Sequence, residues 1–365
     1  MFASLYRAAS GLCNFISLPT VGETKTLPEY QVVQNTAGGS SVPPPVPDIS
    51  QIPEDLAPTI LEARKHPNSV AVVNEVNEFY LKSWPFKTEK HAQRFVDEGF
   101  AWFVCINCPL SLDERMHWGC RLLTIGFLID DVLDRMSVEE GVEHNSQVIE
   151  CARGTLLPDR NQPAQWIMYD LFEDMRAVDK RLADELLEPT IEFLVAQADG
   201  NRMKPMSLRE YFEYRDADLG KGLLTGIMRF CARLYMTPEQ LELVKPIEEN
   251  SMKHITFVND VCSYEKEVLA AKDGFELGAI CSAVPIMMDL CGVGQRETAR
   301  VMWQMARAWE VRHFELVEEV LKKDSSPAMV TYLKGLEHQI AGNERWSLLT
   351  PRYNKTGCLA FTEGR

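Results

Sequence analysis

An all-α fold is what this sequence predicts, and three observations carry the expectation. From about Pro58 onward, segments with the apolar spacing of helices follow one another, and no run of alternating β-branched residues breaks them. The joins between them carry helix start and stop signals. Several segments, residues 112–130 above all, are apolar around most of their circumference, the mark of a helix buried among other helices. A chain of 365 residues that is 45% hydrophobic and 25% charged has material for a substantial core.

Taken in order, residues 1–55 read as a disordered tail, because "NTAGGSSVPPPVPDIS" (35–50) holds too much Gly, Ser and Pro to pack. Its start, "MFASLYRAASGLCNFISLP", lacks acids but holds a single arginine, too few for a transit peptide. Residues 56–354 are expected to form one domain and 355–365 a C-terminal tail. Helical spacing covers 70–83, 88–105, 112–136 and 164–198, then 207–235, 238–271, 279–290, 295–323 and 327–346, for roughly nine or ten helices. "LLPDRNQP" (156–163) and "DGNRMKP" (199–205) are loops, and "MTPEQ" makes Thr237 an N-cap ahead of Pro238 at the first helical position. The sequence has no fixed-period repeat, which argues against a solenoid.

Composition narrows the function classes. A formal net charge of −15 leaves no basic surplus for nucleic acid, yet an acidic chain takes an anionic ligand when metal ions sit between them. The 10 cysteines form no framework. "CINC" (Cys105 to Cys108) is a lone CxxC without a second pair or nearby histidine, and reads as core packing rather than zinc or redox chemistry. A reducing, cytoplasmic setting fits such cysteines. There is no apolar run of about 18 residues to span a membrane.

Chemistry enters with "LIDDVLD" (128–134), which puts Asp130, Asp131 and Asp134 at the end of an apolar helix. At about 100° per residue, Asp130 and Asp134 lie about 40° apart and Asp131 is one turn before Asp134, so all three face one opening. Acids that close stay ionised together only beside a cation. Magnesium suits them, since it takes oxygen ligands and leaves room for substrate phosphates. An acidic helix end on a solvated surface is the plain alternative. Further on, "VNDVCSYEKE" (258–267) sets Asn259, Ser263 and Glu267 at i, i+4 and i+8, a stripe of hard oxygen donors within about 80°. A polar stripe on a helix with apolar flanks needs a partner, either a metal or a buried hydrogen-bond network.

The pattern N-D-x-x-S-x-x-x-E, downstream of an aspartate-rich helix end, resembles the class I terpene synthases. "CRLLTIGFLIDDVLD", "LLPDR", "YRDADLGKGLL", "IMRF", "KGLEHQIAGNERWS" and the terminal "RYN" extend the resemblance, over residues 66–354, to the fungal aristolochene synthases, which are sesquiterpene cyclases. The resemblance implies a helical bundle around a central apolar cavity, and a reaction in which three Mg2+ ions ionise farnesyl diphosphate. The carbocation would close through a germacrene-type intermediate to a bicyclic hydrocarbon such as aristolochene, or end at another C15 product such as germacrene A. A homodimer is the family expectation.

By the same likeness Asp130 holds metal most directly, aided by Asp131 and Asp134, while Asn259, Ser263 and Glu267 hold a further ion. Arg215, Lys266, Arg352 and Tyr353 would grip the diphosphate, the planar fork of Arg being suited to phosphate oxygens. The plainer alternatives are an intrahelical pair of Arg215 with Asp218 or Glu213, and a frayed terminus for Arg352 and Tyr353. Phe127, Phe193 and Trp346 match cavity-lining positions, where aromatic faces steady moving positive charge; simple core is the alternative for each. Two departures stand out. Asn107 occupies a position where those cyclases carry a Tyr linked to later protonation, and Asp134 one where Glu is frequent. A chain-elongating prenyltransferase would show a second aspartate-rich motif in place of "NDVCSYEKE". An inactive helical scaffold would have lost ligands, and none is lost.

Overall fold

The computed structural model describes residues 51–354, so residues 1–50 of the expected N-terminal tail and the tail at 355–365 lie outside the described residues. Every long element in that range is helical: α1 Ser69–Ser83, α2 Glu89–Glu98, α3 Phe100–Asn107, α4 Asp113–Leu133, α5 Val138–Arg153, α6 Pro163–Gln197, α7 Leu208–Asp218, α8 Lys221–Ala232, α9 Pro238–Ala270, α10 Ala283–Cys291, α11 Gln295–Leu321 and α12 Pro327–Leu349. Short 3-10 turns follow α6 (Gly200–Met203) and α9 (Ala271–Asp273). The all-α expectation holds among the described residues.

Three departures from the expected element list have local causes. The helix expected over 88–105 breaks at Gly99, whose φ of 66° is left-handed and turns the chain from α2 into α3. The one expected over 207–235 breaks at Gly220 (φ 73°) and ends at Ala232. Helix α5 was absent from the expectation, although Ser137 and Glu140 form a reciprocal capping box: Glu140 N donates to Ser137 Oγ at 3.3 Å and Ser137 N to Glu140 Oε2 at 2.9 Å. Its early Gly141 and polar face hid it, and the same Gly141 lets it sit against Leu277 and Leu133.

Helix α6 is continuous in outline but kinked at Asp179, which has non-helical φ/ψ of −158° and 87°. Asp179 acts as an internal N-cap, its Oδ1 accepting from Leu182 N at 3.2 Å. Its Oδ2 takes Arg115 Nη1 at 3.0 Å and the Tyr235 hydroxyl at 2.6 Å, which ties the kink to α4 and to the chain beyond α8.

Helix α4 packs against α1, α3, α6 and α8, while α9 and α12 pair with each other and α12 also lies on α3. Because α4 is surrounded, twelve of its residues from Arg115 to Leu133 are buried. Its C-terminal end therefore delivers Asp130, Asp131 and Asp134 to the interior side of a rim rather than to an open surface. The segment before α1 is pinned from behind. Ile60 N donates to Glu310 at 2.9 Å, Arg307 Nε to Ala57 O at 3.1 Å, and Asp55 pairs with Arg300.

Candidate active site

One cavity opens between α4, α6, α9 and α12, with about 1020 Å³ of free space when its solvent-open mouth is counted. Its mouth is polar and its floor apolar. The α4 end contributes Asp130 and Asp134, and α9 contributes Asn259, Ser263 and Glu267 across the opening. The carboxylates of Asp130, Asp131 and Asp134 lie within 4.8 Å of one another. Asp131 belongs to this cluster but not to the cavity wall. On α9, Ser263 Oγ donates to Glu267 Oε1 at 2.7 Å, and Cys281 N donates to the other Glu267 oxygen at 3.0 Å.

Three cations face these acids. Arg352 Nη2 lies 2.8 Å from Asp131 and 3.4 Å from Asp130, and Nη1 reaches Glu98 at 3.3 Å. Lys266 Nζ is 3.2 Å from Asp134 and 3.8 Å from Asp130. Arg215 pairs with Asp218, with Asp260 at 2.9 Å, and donates to Asn259 Oδ1 at 3.1 Å. The intrahelical pair with Asp218 is thus real, and it coexists with a guanidinium on the cavity wall. Tyr353 accepts from Asn259 Nδ2 at 3.1 Å. The C-terminal stretch is held rather than frayed: Thr350 Oγ1 donates to Glu98 O at 2.9 Å, and Arg352 is buried.

Burial is the largest influence on Asp130, Asp131 and Glu267. It raises Asp130, against the pull of Lys266, and pushes Glu267 up to about 7, helped by repulsion from Asp260. Burial alone would raise Asp131 too, but Arg352 outweighs it and the carboxyl sits below its ordinary value. Burial thus leaves Asp130 and Glu267 with charge that a further cation would stabilise. Carboxylates, an amide carbonyl and a hydroxyl are the oxygen donors a hard divalent cation takes, so the donor set fits such an ion on both rims.

The floor is aromatic. Phe127 stacks on Phe100 at 4.5 Å, and Trp346 lies 5.6 Å from Phe127 and 5.1 Å from Phe103. Trp346 is fixed by its Nε1 donation to Gly99 O at 3.1 Å. Phe193 leans on α4 where Gly126 has no side chain; a Cβ there would come within 3.2 Å of its ring. Phe127, Phe193 and Trp346 all line the cavity.

Asn107 does not join them. It is buried at the end of α3, donates Nδ2 to Phe103 O at 2.7 Å, and packs where Gly342 lets α12 close on α3. It is not among the residues that line the cavity. Sequence reading missed Phe103 and Arg202, which do line the cavity. Phe103 lies on a helix apolar all round, which offers no face to read; Arg202 lies in the "DGNRMKP" loop just past the helix that carries Phe193.

Residues 121–311 match the family model described as terpene synthase family 2, C-terminal metal binding. The chain is 43% identical over 304 residues to the (+)-aristolochene synthase of Penicillium expansum, covering 82% of this chain and 92% of that protein. It is 43% identical over 299 residues to the aristolochene synthase of Aspergillus terreus, covering 81% and 93%. The crystal structure of aristolochene synthase from Penicillium roqueforti superposes with a TM-score of 0.73 at 42% identity, covering 80% of this chain and 99% of that one. A germacradien-4-ol synthase from Streptomyces citricolor, at 15% identity and a TM-score of 0.67, shares the fold. Similar to these proteins over most of its length, and matched through both acid-bearing helices, the chain belongs to the terpene synthase family, among the aristolochene synthase-like cyclases.

Proposed function

We propose that this cyclase is magnesium-dependent and acts on farnesyl diphosphate, releasing diphosphate and a cyclic C15 hydrocarbon. The domain that does so is taken to run over residues 56–354. One observation carries the reading: two oxygen-donor rims, Asp130 with Asp134 and Asn259 with Ser263 and Glu267, share one cavity whose floor is aromatic. Three Mg2+ ions are the expected complement, with Asp130, Asp131 and Asp134 on one side and the α9 triad on the other. When bound, magnesium supplies Lewis-acid neutralisation of the diphosphate as the allylic C–O bond breaks and its electron pair leaves with oxygen.

The chain's own residues do the rest. Arg215, Lys266, Arg352 and Tyr353 exchange their carboxylate and amide partners for diphosphate oxygens. Phe127, Phe193 and Trp346 present their faces to the cation left behind, each contact stabilising it by about 0.5–2 kcal/mol. The stretch around Arg352 and Tyr353 keeps water from the carbocation, which would otherwise be quenched to an alcohol. Aristolochene, formed through a germacrene-type intermediate, is the first product reading. The same ionisation ending at germacrene A is the second, favoured by a cavity lining in which, among the described residues, Tyr353 carries the one phenol. A cytoplasmic homodimer completes the proposal; no helix among the described residues is long and apolar enough to cross a membrane.

The test is incubation of the purified chain with farnesyl diphosphate and magnesium, followed by gas chromatography and mass spectrometry against standards. A cyclic C15 hydrocarbon is expected. Longer prenyl diphosphates, formed only when isopentenyl diphosphate is added, would replace this reading with chain elongation.

A further inference from the structure

Arg215, Lys266 and Arg352 all rest in contact with carboxylates. Arg202 is different. It stands on the cavity wall in the 3-10 turn after α6, beside Gln197, whose Nε2 reaches Asp130 at 3.4 Å. The Arg202 side chain makes one long hydrogen bond, Nη1 to Gln197 O at 3.4 Å, and its Nε is buried with no partner. Among the described residues, Arg202 forms no ion pair within 4.0 Å. A guanidinium has five N–H donors and cannot shed its proton, so leaving most of them unused in a partly buried site is costly.

The turn around it is rigid enough to aim it. Asp199 Oδ1 accepts from Asn201 N at 2.8 Å, Lys204 N donates to Asn201 O at 2.9 Å, and Gly200 sits against Val138 at the start of α5. Burial works against the charge of Arg202, but the fields of Asp218 and Asp130 outweigh it and hold it firmly cationic. Those same acids are too far to consume its donors. A mobile anion arriving at the mouth finds this fork already charged, partly desolvated and without a competing carboxylate partner.

We propose that Arg202 is a fifth diphosphate-binding residue, the one cation of the set that has no carboxylate partner to give up before substrate arrives. The inference rests on the function proposed above. Its role is to seize the leaving group first and to orient it for the cations that must first exchange partners. No proton moves to or from Arg202: the C–O bond breaks, the electron pair stays on the diphosphate oxygen, and the guanidinium stabilises that charge.

The experiment compares the full chain with Arg202→Gln and Arg202→Lys in two assays. One is steady-state turnover of farnesyl diphosphate with magnesium; the other is calorimetric binding of inorganic diphosphate in the presence of magnesium. Arg202→Gln is expected to weaken diphosphate binding about tenfold and to raise KM more than it lowers kcat. Arg202→Lys, which keeps a charge without the fork, is expected to recover part of the binding. Diphosphate binding equal to wild type in a folded Arg202→Gln chain would overturn the inference, whatever happens to turnover. Should Arg202→Gln not fold, Arg202→Met, which keeps the aliphatic stem, is read by the same criteria. A wild-type chain that makes no hydrocarbon would defeat the proposed function; a cyclising wild type beside an indifferent Arg202→Gln defeats only this inference.

Discussion

Truncating Glu267 to Ala removes an oxygen donor that Ser263 on the same helix and the backbone N–H of Cys281, from the segment before α10, hold in place. Turnover is expected to fall by about two orders of magnitude, while the far-UV circular dichroism stays that of the wild type. Retained turnover would remove Glu267 from the reacting site. Asn107→Tyr belongs at this scale too. Gly342 already presses against residue 107, and a Cβ on it would lie 2.7 Å from Ile106 O. The larger ring is expected to over-pack the α3–α12 seam and cost about 1–3 kcal/mol, read as a lower urea midpoint. An unchanged midpoint would show that space exists there. Much of the residue-level picture was legible because helical spacing alone brings Asp130 beside Asp134 and lines up Asn259, Ser263 and Glu267. The place of Asn107 was not, since it depends on how closely α12 approaches α3, a fact held by a glycine far away in sequence.

Among the elements, the kink of α6 makes the sharpest claim. Asp179 joins an internal cap, a buried guanidinium and a hydroxyl, all at one carboxylate. Asp179→Ala leaves Arg115 buried, with Phe230 O as its remaining acceptor. The expected loss is about 3 kcal/mol, measured by chemical denaturation of the variant, and a loss below about 1 kcal/mol would mean the kink is held by packing instead. Periodicity read α6 as one uninterrupted helix, because the apolar phase carries through the break. It also merged α2 with α3 and α7 with α8, where only the φ of a single glycine marks the join. Helix α5 had a readable capping box but a weak apolar stripe, so the pattern that reveals buried helices passed it by.

For the molecule as a whole, acid stability follows from a neutral histidine in the core. His313 is buried, its Nδ1 is 3.4 Å from Ser251 Oγ, and its Nε2 has no partner. Burial, with help from His254 and Lys334, pushes it from 6.5 down to about 4. The unfolded chain therefore binds a proton in the window between 6.5 and about 4 that the folded chain refuses. This stabilising contribution is full above pH 6.5 and is lost as pH falls through the window, by at most about 3 kcal/mol. In His313→Phe the slope of urea midpoint against pH between 4 and 7 should be shallower than in wild type; parallel slopes would refute the account.

The mutual pairing of Arg352 with Asp131 and of Lys266 with Asp134 gives the resting site the character of a two-key lock. Apart from Arg202, diphosphate alone meets cations that are already spoken for, and magnesium alone meets acids in the same condition. Only joint arrival lets every charge trade one partner for another without stranding any. Thermal melts should accordingly show a shift with both solutes that exceeds the sum of the shifts with each, and simple additivity would mean the pairs open independently.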